Sequence, residues 1–364
     1  MDTMRPTSPH PVRVRAALEL ETATAMFVHG ARPEGRAELR PPSLKSIVRW
    51  WYRAALGPLQ AELCDPNREP CGRCLRCHES EVFGSTATGP RVRFRVDDWY
   101  HHPAEGAHLH KATTVLLPHR RSSDGPVHRH AIAAGRRFTL LLDAWPLPSD
   151  LQHLHTAARS TWLVAQLGGF GQRTRRGAGS VELKGCPGGN VQIPVLATPV
   201  DAGEVAAFLG REVPSVVAAI RSTVHRGATL RTLGPGEIPN HPSLLLDRSD
   251  VCRIVVIPTA QRREEEARAW VMRHLFKHPV WGLPYTPPQG PKHPDAILGS
   301  VRQASPVWVH LHRTREGYAA VFTLLRSRGS ERNARAARRI DDGFAELHGH
   351  LDRMPAAIDI SQLP

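Results

Sequence analysis

Apolar and polar residues alternate over 12–21, with Val12, Val14, Ala16, Leu18 and Leu20 in phase. A period of two marks a strand with one buried face. A Gly- and Arg-bearing loop follows over 29–40, and then Pro41-Pro42-Ser43 signals a helix start with Ser43 as N-cap. The predicted helix 44–56 sets Leu44, Ile47, Val48, Trp51 and Ala55 on one face, and Lys45, Arg49 and Arg53, four apart, on another. Strand signals return at 91–96 and 139–144, either side of a His-, Arg-, Ser- and Gly-rich stretch (101–130) that reads as a long loop or irregular hairpin. A second helix, 150–167, buries Leu151, Leu154, Ala158, Trp162 and Ala165 and leads through a Gly-Arg loop into a short strand at 181–183. Strand, helix, two strands, helix, strand is the order of a ferredoxin-like (RRM-like) domain.

Pro187-Gly188-Gly189-Asn190 marks a break. Beyond it a helical stretch (204–224) and a Pro/Gly loop (234–242) precede a strand (251–258), a helix (262–277) and a Pro-rich loop (279–294). Strands at 306–312 and 318–325 and a helix at 330–351 complete the pattern. One local similarity links the halves. Val82-Phe83-Gly84-Ser85 and Ile297-Leu298-Gly299-Ser300 each lead through a loop containing a proline (Pro90, Pro306) into an alternating strand. The expected fold is α+β: two ferredoxin-like domains, 1–190 and 191–364, the first carrying a Cys-rich insert at 62–81 and the Gly-Arg loop at 168–180.

Charge narrows the function. The 364 residues hold 48 Lys+Arg against 34 Asp+Glu, a formal net charge of +14, and all but five of the cations are arginine. Arginine forks onto phosphate and stacks on bases, so a polyanionic partner is expected. The 21 histidines could add charge at mildly acid pH. No apolar run approaches the roughly 18–20 residues that cross a bilayer, and no secretory signal is read at the N-terminus, so a cytoplasmic protein with no membrane partner is expected.

Gly168, Gly169, Gly171, Gly177 and Gly179 surround Arg173, Arg175 and Arg176. Glycine lets backbones approach closely, and the arginines put positive charge at that approach, which points to an RNA backbone. The loop lacks the Gly-Lys-Ser/Thr ending of a nucleotide-binding P-loop, and Thr174 stands where a dinucleotide fingerprint has its third glycine. The plainer alternative is a flexible surface turn with solvated arginines. If the loop lies beside the first helix, Arg173, Arg175 and Arg176 join Lys45, Arg49 and Arg53 in one RNA surface, where Trp50 or Tyr52 could stack on a base. Alternatively those aromatics are core or subunit-contact residues.

Cys64-x6-Cys71-x2-Cys74-x2-Cys77, followed by His78, has the spacing of a closed structural zinc site. His78 could replace Cys64, and a metal-free thiol cluster is the alternative. Pro70 and Gly72 are expected to keep this loop from becoming a helix. Cys186 and Cys252 read as packed thiols and Glu264-Glu265-Glu266 as a solvated helix start. His29 is a candidate general base or a packing residue.

Three blocks carry a family resemblance: Arg40-Pro41-Pro42-Ser43-Leu44-Lys45 running into Arg49-Trp50-Trp51-Tyr52-Arg53; the Gly-Arg loop; and Arg302-Gln303-Ala304-Ser305-Pro306-Val307. They resemble the RAMP superfamily, and within it the first subunit of the type III-B CRISPR (Cmr) RNA-guided effector complex. Residues 187–295 resemble nothing recognised. The resemblance implies a non-catalytic RNA-binding subunit at the end of the complex that carries the 3′ part of the guide. It would help to capture target RNA, touch other Cmr subunits, and leave target cleavage to another subunit; Arg302 joins its RNA-binding set. Two other readings stand beside it: a metal-independent RNA-processing endonuclease of the same superfamily using His29, and an unrelated zinc-dependent nucleic-acid-binding protein.

Overall fold

The computed structural model describes residues 13–29, 37–57, 59–60, 74–85, 89–97, 131–145, 147–188, 190–224, 231–239, 241–275, 307–327 and 345–363. The first half runs β1 (Val14–Thr22), α1 (Pro41–Leu56), a two-residue β2 (Leu59–Gln60), α2 (Leu75–Phe83), β3 (Arg93–Asp97), β4 (Arg137–Ala144), α3 (Pro148–Leu167) and β5 (Val181–Gly185). The second runs α4 (Ala202–Arg221), β6 (Arg231–Thr232), β7 (Cys252–Pro258), α5 (Glu264–Leu275), β8 (Val307–Thr314), β9 (Gly317–Leu325), α6 (345–352) and β10 (Ile358–Asp359).

Two four-stranded antiparallel sheets result, ordered β3-β4-β1-β5 and β10-β7-β9-β8. Numbered by place within its half, each reads second, third, first, fourth strand. The shared order is consistent with two ferredoxin-like units. β3 and β8, the strands behind the local sequence similarity, hold equivalent edge positions, although 297–306 lie outside the described residues.

The first sheet has one helix-covered face. Ala16, Leu18, Leu20, Phe138, Leu140, Leu142, Val181 and Leu183 point into a core with α1 and α3. The second sheet is buried on both faces, as near-continuous apolar strands require. Ile254, Val256, Trp308 and Val321 join the first core, where α4 also packs, while Val255, Ile257, Val309 and Phe322 pack in a second core with α5 and α6.

Several helix limits move for physical reasons. Arg40, not Ser43, is the N-cap of α1, and Pro41 and Pro42 occupy its first turn, where a missing N–H costs nothing. The expectation that the cysteine segment stays out of helix fails from Leu75 onward: α2 begins right after Cys74, beyond the reach of Pro70 and Gly72. α4 starts at Ala202 because Asp201 caps it, accepting a hydrogen bond from the Glu204 amide at 2.9 Å. The 101–130 and 279–294 loops, and 330–344 of the expected last helix, lie outside the described residues.

Candidate nucleic-acid interface

The Gly-Arg loop is clamped, which rules out the flexible turn. Leaving α3, the chain passes Trp51 at Gly168, where a Cβ would lie 2.5 Å from the indole Nε1. The Phe170 N–H donates to Gly179 O at 2.9 Å, closing the loop on itself. The Gly179 and Gln172 amides donate to Ala25 O (2.9 Å) and Phe27 O (2.8 Å). At Gly179, φ is +67° and a Cβ would meet Phe170 O at 1.9 Å, so only glycine fits. The backbone these glycines approach is therefore the protein's own. Thr24 Oγ1 donates to Gly177 O at 2.7 Å, and Ser180 Oγ accepts from the Leu311 amide of β8 at 3.0 Å, so both halves hold the loop.

Its tip is one 3-10 turn, Thr174–Arg176, entered through Arg173 in the left-handed region (φ 62°). Arg173, Arg175 and Arg176 are all half-buried. The Arg175 guanidinium lies 4.6 Å from the ring centroid of Trp308 and 5.6 Å from that of Trp50, a cation–π geometry. Burial pulls the pKa of Arg175 down to about 10. Burial and then the charge of Arg176 do the same to Arg173, and burial lowers Arg176. Burial is the largest influence on each of the three, whereas Arg313 is held charged by the hydrogen bonds it donates to Glu182 and Glu21 despite its own burial. A cluster of desolvated cations with lowered pKa values marks a candidate anion site.

The α1 stripe faces elsewhere. The Lys45 ammonium donates to Phe83 O at 3.1 Å, Arg49 Nε donates to Glu79 Oε1 at 2.6 Å, and Arg53 Nη1 lies 3.8 Å from Glu79 Oε2. These side chains turn toward α2, and α1 meets the Gly-Arg loop through Trp50 and Trp51 instead. Tyr52 is buried against Phe83, with ring centroids 5.4 Å apart, so it belongs to the core. Trp51 is buried too; Trp50 is half-buried, packed on Trp51 and Trp308 under Arg175. His29 sits half-buried in a β-bridge to Ala37. Arg302, Cys64 and Cys71 lie outside the described residues. Cys74 and Cys77 are buried with sulfurs 3.6 Å apart, beside buried His78.

Residues that sequence reasoning missed are His310 and His312. Both are fully buried on β8, with rings 4.3 Å apart. His310 Nδ1–H donates to Gly168 O at 2.7 Å and His312 Nε2–H to Gln166 O at 3.1 Å, capping the end of α3 from the other half. Burial drives His310 well below the ordinary histidine range and His312 to about 4, so neither adds charge at mildly acid pH. The available signal was two histidines in phase with Trp308 on an otherwise apolar strand.

Residues 19–182 match the family described as the RAMP superfamily. The matched region takes in α1, α3 and the whole Gly-Arg loop. Two relatives from Pyrococcus furiosus are similar to part of this chain. The Cmr subunit Cmr1-2 is 27% identical over 190 residues, 46% of this chain and 95% of that protein. Cmr1-1 is 28% identical over 173 residues, covering 45% of this chain and 46% of that protein. Among solved structures, the apo crystal structure of Cmr1 from Pyrococcus furiosus shares the fold, with a TM-score of 0.52 at 19% identity over 95% of this chain and 98% of that one. A chain in the cryo-EM structure of the type III-B Cmr-beta bound to cognate target RNA gives 0.52 at 10% identity, covering 92% and 99%. Among the described residues no helix is long and apolar enough to cross a membrane.

Proposed function

We propose that this protein is a non-catalytic RNA-binding subunit of a type III-B CRISPR effector complex. It consists of two ferredoxin-like domains, within 1–190 and 191–364. It sits in the cytoplasm among other Cmr subunits, at the end of the complex carrying the 3′ part of the guide RNA, and helps to capture target RNA. The observation that carries this reading is the clamped Gly-Arg loop, which holds three half-buried arginines together at its tip, Arg175 lying over the rings of Trp308 and Trp50. Phosphate is the anion onto which such guanidinium groups fork, and Trp50 beneath Arg175 offers an aromatic edge to a base. The Cmr relatives support the assignment to this complex. Lys45, Arg49 and Arg53 contribute at the margin, the charge of Arg49 and Arg53 partly offset by Glu79.

A structural zinc belongs to the same reading. Two thiolates on one tetrahedral zinc stand about 3.8 Å apart, given Zn–S bonds of about 2.3 Å, and Cys74 and Cys77 are at 3.6 Å. Cys64 and Cys71, or His78 in place of Cys64, complete the set. Four protein ligands leave no open position, so the metal stabilises the α2 region rather than doing chemistry.

The test is to titrate the full chain against labelled guide RNA, single-stranded target and preformed duplex while assaying each for cuts. The reading expects binding without cleavage. Site-specific, metal-independent cutting that disappears in His29→Ala would replace it with the endonuclease.

A further inference from the structure

The open face of the first sheet carries a second concentration of arginine, at the far end of β1 from the Gly-Arg loop. The loop is bonded to residues 23–27, just past Thr22, while this patch begins at Arg13. The nine residues of β1 between them make eight strand steps of about 3.3 Å, roughly 26 Å. Phe138, Leu140, Leu142 and Ala144 point to the helices, so Arg137, Thr139, Leu141, Asp143 and, next in phase, Trp145 face the other way. Trp145 is 40% exposed, one of three large apolar side chains so exposed among the described residues. The Arg13 guanidinium lies over its ring at 4.8 Å.

The register builds out from that tryptophan. Asp143 pairs across the sheet with Arg15 on one side and Arg93 on the other, and Leu141 with Ala17 and Arg95. Arg15 Nε and Arg95 Nε each donate to one oxygen of Asp143, both at 2.7 Å. Asp143 is 2% exposed beneath them while Arg15 and Arg95 are 51% and 45% exposed, so solvent meets guanidinium rather than carboxylate. Burial would raise the Asp143 pKa, but hydrogen bonds from Arg95 and Arg15 outweigh it and hold the acid ionised. The carboxylate thus holds two guanidinium groups by their Nε atoms while both arginine side chains stay about half exposed. Other acids on this face lie further along: Glu19 and Asp97 flank Thr139, and Glu21 lies opposite Arg137.

An exposed tryptophan beside four arginines and one covered carboxylate is the chemistry that receives single-stranded nucleic acid, with bases on the ring and phosphates on the guanidinium forks. Asp143, covered by Arg15 and Arg95, does not face the solvent to repel a phosphate chain, and the exposed ring beside them suits a base. We infer that the Trp145 corner of the open sheet, with Arg13, Arg15, Arg93 and Arg95, is a second contact site for single-stranded RNA, separate from the Gly-Arg loop. The inference rests on the RNA-binding reading above and extends it to another face.

The test compares full-length wild type with Trp145→Ala, Trp145→Phe and Arg93→Glu in binding an unstructured oligouridine, by fluorescence anisotropy at several salt concentrations. Arg175→Ala/Arg176→Ala serves as the loop reference. Trp145→Ala is expected to weaken binding roughly fivefold or more, the size of a lost base stack, and Trp145→Phe to recover most of that. Arg93→Glu is expected to reduce the salt slope by about one contact or more; because this exposed residue bears little on folding, it stands if Trp145→Ala unfolds. Unchanged affinity and slope in folded Trp145→Ala and Arg93→Glu, with the loop variant weakened, would overturn the second site and leave the first intact. Wild type that fails to bind any RNA would overturn both. Loss of a partner subunit from either sheet variant, with RNA binding unchanged, would make this face a protein interface and also overturn the inference.

Discussion

At the residue scale, the Gly-Arg loop shows two demands on glycine that composition alone does not separate. Gly135 has a positive φ of +81° but nothing within 4 Å of an added Cβ, whereas Gly179 adds a 1.9 Å collision with Phe170 O. Gly135→Ala should therefore cost only about 1–2 kcal/mol, the left-handed penalty. Gly179→Ala should cost distinctly more, about 3 kcal/mol or above, because the loop must come off residues 25–27. Urea denaturation of the two variants checks this; equal losses would mean that the loop tolerates the side chain by moving. Five glycines around three arginines were legible as a backbone that approaches closely. What the sequence could not name was the surface approached, since the chain's contact with its own residues 25–28 depends on tertiary structure. Tyr52 was illegible in the same way: Trp50, Trp51 and Tyr52 are consecutive, and only packing against Phe83 tells which one the core takes.

At the element scale, β8 ties the halves together by donating two histidine N–H groups to the end of α3. The folded state keeps both rings neutral, with His312 depressed to about 4 and His310 well below its ordinary value, while in the unfolded chain both titrate near 6.5. The unfolded state therefore binds more protons as the pH falls, and stability is lost below about 6.5. The loss reaches up to about 2 kcal/mol per ring by pH 5, and stability should be insensitive to these rings above pH 7. Replacing them with His310→Asn/His312→Gln keeps an N–H donor at each place and should flatten the slope between pH 7 and 5 in denaturation curves. Burial shifts His153 and His348 in the same direction, so the slope shrinks rather than vanishes. A slope unchanged in the double variant would show that other groups control acid stability. The cysteine segment makes its own prediction: protein purified without chelator should carry about one zinc per chain. Cys74→Ser/Cys77→Ser should lose the metal and some thermal stability. Metal content well below one, or unaffected by the double change, would count against the site. Element type was legible wherever period was strong, as in β1, α1, α3, β7 and β9. It failed at α2, where the turn signals of Pro70 and Gly72 were carried too far along the chain.

At the scale of the whole molecule, the two halves share one strand order, and the second sheet has no open face because α3 and α4 cover what α5 and α6 do not. The alternation of strands and helices made the two-sheet architecture legible; the burial of Trp308 against Trp50 and Trp51 did not follow from it, since those residues are over 250 positions apart. That contact brings together an arginine of the loop, a tryptophan of α1 and a strand of the second half. The account's central claim is that this junction binds RNA through the arginines of the loop. The most direct test is the salt dependence of RNA affinity for wild type and Arg175→Ala/Arg176→Ala, with folding checked by circular dichroism. The account predicts a folded variant that binds guide and target RNA more weakly regardless of sequence, with a log–log salt slope lower by about two, one unit for each lost phosphate contact. A folded variant with wild-type affinity and slope would contradict it, and the loop would then be a surface for a neighbouring subunit.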